Sequence, residues 1–442
     1  MASTHLSRTQ TSGNRQIFTQ SFWCKIADPA GTQTLAGTFD DSSNYNYCYL
    51  DSGALNLQWK QSGSVTAQLN TTRLLRDPSA FYNIVYSVDT TQATAENRIK
   101  LYINGSQVTS FSTSTYPTQN RYTEVNANGI THRIGSVDGS SQYFNGLMTY
   151  VAHVDNTAYD ASYFGETDSV SGIWKPKTSP SVTWGTNGFL LKFENSGAMG
   201  TDSSGNSNTF TVSGTLTQNV DTPSNNFTNV NALIPTVIEN CTMTNGNNTI
   251  NSTSGLHRNA PTTFAIPTGS GKYYWEMRPD TITTHIKIGI IYDEWDKMNL
   301  FSQGAEFSGS SLGYSYRNDG KKENNDSSST YGDSYTVNDI IGVAFDSDNR
   351  KLYFSKNGVW QNSGNPESGA TGTGSVYTIS DGYTYFPCVN LYEAKVSFNF
   401  GGGYFGTTAV ASAGTAPSEG GIFEYNCPNS YQALCTKGIN SF

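Results

Sequence analysis

The sequence predicts an all-β protein that contains two antiparallel β-sandwiches in tandem, joined by an irregular connector. Three observations predict this class. Short runs of alternating apolar and polar residues recur along the chain, turn residues such as Gly, Asn and Ser separate them, and only 14% of the 442 residues are charged. Alternation with a period of two is typical of strands that bury one face. The low charge content argues against a coiled coil or a charge-rich disordered tail, and the length favours two or three domains.

The composition also excludes several classes of function. The net charge is -9 and no long basic run is present, which disfavours binding to a nucleic acid backbone. No segment approaches the roughly 20 apolar residues of a membrane span, so membrane insertion is not expected. The N-terminus lacks the apolar middle region of a signal peptide, which predicts synthesis into the cytosol. Six scattered cysteines form no CxxC pair and are expected to be mostly reduced thiols.

The first sandwich is predicted from strand rhythm between about residues 17 and 155. Tyr45, Tyr47 and Tyr49 share one strand face, since successive strand side chains point to opposite faces. Two interpretations of this ladder are open, cross-strand aromatic packing or a stacking platform for a ligand. The segment RIKLYINGSQV, with its Asn-Gly pair, predicts a two-residue hairpin. The segment YDASYFGETD, residues 159–168, predicts a short helix at a sandwich edge.

Domain boundaries follow from where the alternation stops and resumes. Residues 1–168 form the first predicted sandwich, and residues 169–236, rich in Pro, Asn and Ser, form a connector that packs on the sandwiches. Alternation resumes for a second sandwich at residues 237–405. Residues 406–442 are predicted to form an extended tail that folds back on the body.

Both halves carry motifs of known families. GKYYWEMR, IKIGII, LGYSYRNDGKK, the stretch YGDSYTVNDIIGVAFDSDNRKLYFSKNGVWQ, YFPCVNL and KVSFNFG occur in that order and resemble a SPRY domain. FTQSFWCKI, FYNIVYSVD, KLYINGSQV and YFNGLMTYVAHVD resemble a concanavalin A-like, laminin G-like jelly roll. The resemblance therefore implies a laminin G-like sandwich followed by a SPRY-like sandwich.

A further set of motifs extends over almost the whole chain. The opening MASTHLSRT, then FGETDSVSGIWKP, TNGFLLKF, GTDSSGNSNTFTVSG and the closing FEYNCPNSYQALCTKGI resemble virion structural or fibre-like proteins of marine tailed bacteriophages. This resemblance implies a structural and adhesive protein on the virion surface, in a tail fibre or decorating the capsid. The implied partners are other virion proteins and a host surface glycan or protein, with the chain in multiple copies or as a homo-oligomer.

The sequence contains no complete pattern of catalytic residues. A glycosidase needs two carboxylates that flank the scissile bond, and the glucanase pattern adds a third on the same strand. Glu166 with Asp168, and Glu294 with Asp296, each lack that third carboxylate. No paired histidines for zinc and no complete phosphate-binding loop are present. We therefore expect no enzymatic activity, with a polysaccharide depolymerase as the alternative.

Recognition by loops and strand ends is expected instead. A tryptophan among carboxylates follows a predicted strand and could stack on a sugar ring, although a solvated loop is the alternative interpretation. Two tyrosines and an arginine lie where SPRY domains often bind, or the tyrosines pack on the inner face. The candidate ligand-binding residues are Asp293, Trp295, Asp296, Tyr314, Tyr316 and Arg317.

Calcium is the one cofactor that the laminin G resemblance raises, because some members bind it at a loop rim. The donors would be Asp40, Asp41 and Asp138, since Ca²⁺ requires several converging oxygen ligands. The alternative is that these carboxylates cap turns in solvent. No other cofactor is expected.

Overall fold

The computed structural model describes residues 3–169, 172–234, 240–293 and 306–442. The chain divides into two compact units, Met1–Gln218 and Asn219–Phe442. Both units consist mainly of antiparallel strands that form sandwiches, so the predicted all-β class is confirmed. The unit boundary lies inside the predicted connector, whose residues 172–218 belong to the first unit and 219–234 to the second. No helix in the described ranges is long and apolar enough to cross a bilayer.

The strands of the first unit, within the described residues, are β1 (His5–Thr9), β2 (Ile17–Ile26), β3 (Gln33–Asp41), β4 (Asn44–Asp51), β5 (Ala54–Gln61), β6 (Ser64–Leu74), β7 (Phe81–Asp89), β8 (Ile99–Ile103), β9 (Ser106–Gln107), β10 (Phe111–Thr115), β11 (Thr131–Ile134), β12 (Gly146–Asp155), β13 (Gly165–Thr167), β14 (Trp174–Pro176), β15 (Phe189–Leu191) and β16 (Thr211–Ser213). One sheet has the order β10-β6-β5-β4-β3-β11-β1-β16, and the other has the order β15-β12-β2-β7-β8-β9. Their apolar faces enclose one core. Single 3-10 turns occur at Ala95–Asn97 and Ala161–Tyr163.

A third layer covers the other face of the six-stranded sheet. Val85 and Val154 point away from the main core and pack with Phe164, Leu190 and Trp174. Strand β7 is therefore buried on both faces, including at its polar residues Asn83 and Ser87. This part of the predicted connector is an integral layer of the first unit.

The structure confirms one local prediction and corrects another. Asn104 and Gly105 have φ values of 49° and 78°, the left-handed pair that a tight two-residue hairpin requires. The helix predicted over residues 159–168 is wrong, because only Ala161–Tyr163 forms a 3-10 turn. Strand β13 follows at once and pairs with β14, so most of this segment is extended.

The strands of the second unit, within the described residues, are β17 (Cys241–Thr244), β18 (Thr249–Ser252), β19 (Arg258–Pro261), β20 (Ile266–Pro267), β21 (Lys272–Tyr292), β22 (Gly313–Arg317), β23 (Lys321–Asn324), β24 (Ser327–Thr330), β25 (Ile341–Asp346), β26 (Lys351–Lys356), β27 (Val359–Trp360), β28 (Tyr377–Thr378), β29 (Thr384–Asn399), β30 (Tyr404–Phe405), β31 (Thr408–Ala409) and β32 (Gln432–Ala433). The remaining elements are 3-10 turns at Phe307–Gly309, Gln361–Ser363 and Pro366–Thr371 and the helix α1 (Thr436–Ile439).

Two long strands, β21 and β29, organise the second unit. They pair with each other over most of their length, with register shifts after Pro279 and Ile282. The first part of β21 pairs with β25, whereas its last part pairs with β22. Because bulges bend and twist a strand, one strand can contribute to two layers of a sandwich. The enclosed core is rich in aromatic and β-branched side chains.

The C-terminal segment contacts the start of β21 in the second unit. Strand β32 pairs in parallel with Tyr273 and Tyr274 at the start of β21. Beside this pairing the buried Glu276 carboxylate accepts the backbone N–H groups of Glu424 and Tyr425, both at 2.9 Å. It also accepts the Asn399 amide and the Tyr274 hydroxyl at 3.1 Å. Two of these four hydrogen bonds join the carboxylate to the tail, and the other two hold it to strands β21 and β29.

The first unit contains a buried polar bridge between its two sheets. The amide nitrogen of Gln20 lies 3.1 Å from Nε2 of His132 on β11 and 3.4 Å from Nδ1 of His153 on β12. His153 Nε2 contacts Asn126 Oδ1 at 2.9 Å, and the Asn126 amide donates to Asp155 at 3.0 Å. Burial lowers the pKa of His132 to about 3 and also lowers the pKa of His153. Both imidazoles are therefore neutral near pH 7.

Close approach of β21 and β22 requires a glycine at position 289. A Cβ atom there would lie 1.8 Å from the Tyr314 carbonyl oxygen. We expect Gly289→Ala to destabilise the second unit by about 1–3 kcal/mol, because backbone must shift to admit the methyl group. Urea denaturation of the full chain measures this loss. Gly255→Ala is the control, since the atom nearest to its Cβ position lies 3.6 Å away, an ordinary contact, and an equal loss in both variants would contradict the explanation.

Candidate functional site

The structure separates the ligand-binding residues that the sequence predicted in the second unit. Asp293 is exposed just after β21, while Trp295 and Asp296 lie outside the described residues. Tyr314 and Tyr316 are buried in the core. Their hydroxyls contact the Ser380 hydroxyl and the Asp333 carbonyl. The two tyrosine rings thus occupy the inner face and offer no surface to a ligand.

Arg317 belongs to a network of ion pairs on the other face of the same sheet. Its guanidinium contacts Asp319 at 3.0 Å and Glu323 at 2.6 Å. Glu323 also contacts Lys287 at 2.7 Å, and the Lys287 side chain is only 3% exposed. Arg317 is therefore held by two carboxylates of its own unit, and any ligand anion would compete with them.

Glu306 extends this network. Its carboxylate contacts Lys287 on one oxygen and His257 Nε2 at 2.6 Å on the other. Burial works to raise the pKa of Glu306, but hydrogen bonds from His257 and Lys287 outweigh it and hold the pKa at about 2. The pKa of Glu323 is also lowered by Lys287 and Arg317, again against the effect of burial. Both carboxylates stay ionised, which suits charge pairing and does not suit a general acid.

The carboxylates weighed for glycoside hydrolysis are found on the β13–β14 hairpin of the first unit. Lys175 lies 3.7 Å from Glu166 and 2.9 Å from Asp168, and the Glu166 side chain is 51% exposed. Both carboxylates face one lysine at the surface. The second candidate pair, Glu294 and Asp296, lies outside the described residues.

The three calcium candidates lie at turns. Asp41 accepts the Ser43 N–H at 2.7 Å, and Asp138 accepts the N–H groups of Ser140 and Ser141, each at 2.8 Å. These bonds lower the pKa of both carboxyl groups, although burial opposes them at Asp138. Asp40 is exposed beside Asp41. In the described part of the chain, no group of three or more His, Cys, Asp or Glu side chains is placed to hold a metal ion.

A surface of aromatic and amide side chains lies on the outer face of the eight-stranded sheet. We call it the tyrosine–amide face and define it by Tyr45, Tyr47, Gln58, Gln68 and Asn70, all half-buried. Strands β4, β5 and β6 present these side chains side by side, because Tyr47 pairs with Gln58 and Gln58 pairs with Gln68. The alternate residues of the same strands point into the core.

The aromatic part of this face is a stack along β4. The rings of Tyr47 and Tyr49 are stacked with centroids 4.3 Å apart, and the ring of Tyr45 meets Tyr47 edge to face at 5.3 Å. Phe39 on β3 continues the row with its ring 6.2 Å from that of Tyr45. The geometry is compatible with both interpretations of the ladder. The rings pack on each other, and Tyr45 and Tyr47 also keep part of their surface in solvent.

The amide part is preorganised by the tyrosines. Gln58 Oε1 accepts the hydroxyls of Tyr45 at 2.9 Å and Tyr47 at 3.3 Å. This fixes the orientation of the Gln58 amide and directs its NH₂ group away from the rings. Gln68 donates to Asn70 at 3.3 Å. Burial raises the pKa of Tyr45 and Tyr47, so both phenols remain neutral.

Charge is scarce on this face. Lys60 is the cation next to the ladder, and its Nζ donates to the Ser42 carbonyl at 3.0 Å and lies 5.7 Å from the centre of the Tyr45 ring. A neutral surface with ring faces and amides is chemically suited to sugars, whose C–H faces stack on aromatic rings and whose hydroxyls pair with amides.

Sequence reasoning identified the tyrosines but missed Gln58, Gln68 and Asn70. Glutamine and asparagine on a strand carry no motif, and only strand register brings them beside the tyrosines. The available signal was the alternation of Leu55, Leu57 and Trp59, which places Asn56 and Gln58 on the opposite face of β5.

Comparisons with known proteins agree with the two units. Residues 2–158 match the concanavalin A-like lectin/glucanases superfamily, and residues 272–403 match the SPRY domain. The chain is similar to the ATP-dependent RNA helicase Ddx1 of Drosophila melanogaster, with 27% identity over 184 residues, which is 38% of this chain and 22% of the helicase. The chain therefore spans about a fifth of the length of this curated relative.

Two solved structures are also similar. The crystal structure of the SPRY domain of human HERC1 is 18% identical, covers 36% of this chain and 91% of its own, and has a TM-score of 0.28. The SAP-like pentraxin from Limulus polyphemus is 17% identical, covers 35% of this chain and 71% of its own, and has a TM-score of 0.27. The chain carries a concanavalin A-like domain followed in tandem by a SPRY domain.

Proposed function

We propose that this protein is a non-catalytic adhesive protein on the surface of a tailed phage particle, where it binds a bacterial surface glycan through the tyrosine–amide face. The observation that carries the glycan binding is the fixed set of Tyr45, Tyr47 and Gln58, which combines partly exposed rings with an oriented amide. Both domain types are typical of binding or adhesion modules. The motifs that resemble those of phage virion proteins extend over almost the whole chain.

A single site of this kind is weak, because one ring face and a few amides contribute little beyond what water offers. Many copies on one particle compensate, since linked weak contacts multiply into high avidity. The ion-paired network around Arg317 supports a structural role for that part of the second unit. Copies of the chain are therefore expected to be numerous on the particle, in a tail fibre or decorating the capsid.

Mass spectrometry of purified particles tests the virion location. We expect peptides of this chain at several copies per particle, because avidity requires them. A cross-linking step before digestion then distinguishes the two locations, as the chain is joined either to tail or to capsid proteins. Particles that lack the chain would contradict the proposal. A pull-down from host lysate, with this protein as bait, that retrieves a single cytosolic partner would also contradict it.

Tyr47→Ala tests the binding surface. We expect the variant to bind host cells about tenfold more weakly per site, since an aromatic contact of this kind contributes about 0.5–1.5 kcal/mol beyond area burial. Adsorption of the fluorescently labelled protein to cells measures it. Tyr122→Ala is the matched control, because Tyr122 is 58% exposed and lies outside this face. Equal adsorption by both variants would argue against the tyrosine–amide face.

A further inference from the structure

The strand register arranges the tyrosine–amide face in rows that run across the strands. Tyr47 on β4 is paired with Gln58 on β5, Gln58 with Gln68 on β6, and Gln68 with Thr115 on β10. Four adjacent strands thus each place one uncharged side chain on a single line. Neighbouring strands lie about 4.8 Å apart, so the four positions span about three strand spacings.

A second row runs parallel to the first, two residues further along each strand. It consists of Tyr49, Asn56, Asn70 and Thr113, again paired one to the next. Tyr49 and Asn56 are buried, whereas Asn70 and Thr113 are half-buried. The second row therefore supports the first from the side, and Gln68 is joined to it through its hydrogen bond to Asn70.

The chemistry of the first row restricts the ligand. Each amide both donates and accepts, which matches a hydroxyl group, and the row itself contains no charge partner for a carboxylate or sulfate. The cation beside the row, Lys60, is already engaged by the Ser42 carbonyl at 3.0 Å and by the Tyr45 ring. A charged sugar that lost water here would keep an unpaired charge, which is costly. Within the described residues, the amide NH₂ group of Gln58 has no hydrogen-bond partner, and it can donate to a sugar oxygen.

The repeat of the row matches one kind of polymer. An extended β-linked hexose chain advances by roughly one strand spacing per sugar, about 5 Å, so successive sugars meet successive strands. We infer that the tyrosine–amide face binds a neutral, extended, β-linked polysaccharide that lies across strands β4, β5, β6 and β10, with one sugar stacked on Tyr47. This inference rests on the proposed function and specifies the class and direction of its ligand.

Titration calorimetry of the full chain tests the inference. The probes are β-1,4-linked gluco- and manno-oligosaccharides of two to six units, and β-1,4-linked oligomannuronate of the same lengths. We expect at least one neutral series to bind, with affinity rising at least tenfold from the dimer to the hexamer. We expect the acidic series to bind at least tenfold more weakly than the neutral hexamer.

Variants at two positions of the row, on β4 and β6, test its direction. Tyr47→Ala and Gln68→Ala are each expected to weaken binding of the hexamer at least fivefold, with little effect on the dimer for Gln68→Ala. Gln107→Ala, an exposed amide on the other sheet, is the control. Circular dichroism confirms that each variant is folded.

The possible failures are distinguishable. Tighter binding of oligomannuronate, or an affinity that does not depend on length, overturns the inference but leaves glycan binding by this face intact. No binding by any of the three series overturns the inference. Such a result together with normal adsorption by Tyr47→Ala also removes the proposed glycan site.

Discussion

Replacement of Glu276 by alanine is expected to release the C-terminal tail from the second unit. The substitution leaves two backbone N–H groups of the tail, the Asn399 amide and the Tyr274 hydroxyl without their acceptor. Leaving a buried donor unsatisfied costs about 1–3 kcal/mol, and partial relaxation limits the sum, so we expect a total loss of about 3–5 kcal/mol. Burial raises the pKa of Glu276 to about 7, so the comparison is made at pH 8, where the carboxylate is ionised.

Hydrogen exchange of the full chain measures this effect locally. Peptides that cover residues 421–435 should lose protection in Glu276→Ala, while those of the first unit should not change. Glu276→Gln is expected to be nearly as damaging, because its NH₂ group would face other donors. Asp381→Ala is the control, since its side chain is 70% exposed and pairs with Arg350 only at 3.8 Å. A protected tail in Glu276→Ala would show that apolar packing alone holds it.

Acid is expected to destabilise the first unit through its buried histidines. The unfolded chain binds a proton at His132 near pH 6.5, whereas the folded chain does so only near pH 3. The stability is therefore complete above about pH 6.5 and falls as the pH decreases through this window. At pH 5 the loss from His132 is about 2 kcal/mol, and His153 adds a loss of the same sign.

The surroundings of the two histidines also favour a loss of stability at low pH. Two charged groups lie on the elements packed against them. The charge of Arg8 lowers both pKa values further, and Asp155 accepts a hydrogen bond from the Asn126 amide. Gln20 contacts both rings and cannot accept a proton. A protonated imidazole would thus be charged among aromatic side chains and amides, and no carboxylate from the described part of the chain contacts either ring.

Calorimetric melting of the full chain between pH 7 and pH 5 measures the loss. His132→Gln keeps a hydrogen-bonding group beside Gln20 and removes the titration, so its first-unit transition should move less with pH than that of the wild type. His285→Gln in the second unit is the matched control. If the wild type and His132→Gln show the same pH dependence, the buried bridge is not the source of the acid sensitivity.

The sequence predicted much of the fold because strand period and turn chemistry are local properties. The Asn104-Gly105 hairpin and the alternation of Tyr45, Tyr47 and Tyr49 needed no knowledge of the rest of the chain. The prediction of a helix at 159–168 was wrong because contacts with residues distant in the sequence determine the structure of that segment. The Trp174 ring packs on Gly165 and donates to Asn83 at 3.0 Å, which holds the hairpin against the sheet.

The motifs that resemble phage proteins contribute to the fold in ways that local patterns could not reveal. Asp202 in GTDSSGNSNTFTVSG accepts the N–H of Leu190 at 2.9 Å, and Asn206 donates to Gly185 at 2.7 Å, so this loop fastens the third layer. The closing motif contains the two N–H groups that reach Glu276. These segments therefore hold each unit together.

The candidate site was predictable only in part. The tyrosine ladder was visible in the sequence, but the amide row depends on the pairing of four strands, which alternation does not determine. Tyr314 and Tyr316 were predicted at the binding surface but lie in the core. Their alternation fits either sheet face, and only the register with β21 buries them. Trp295 and Asp296 stay predictions.

Non-catalytic adhesion is tested most directly by a single incubation of the full chain with purified bacterial surface polysaccharide, followed by measurement of both bound protein and free reducing ends. We expect saturable binding that Tyr47→Ala weakens about tenfold, and no reducing ends beyond those of the protein-free control. Release of reducing ends that Glu166→Gln or Glu294→Gln abolishes would contradict non-catalytic adhesion and identify a depolymerase.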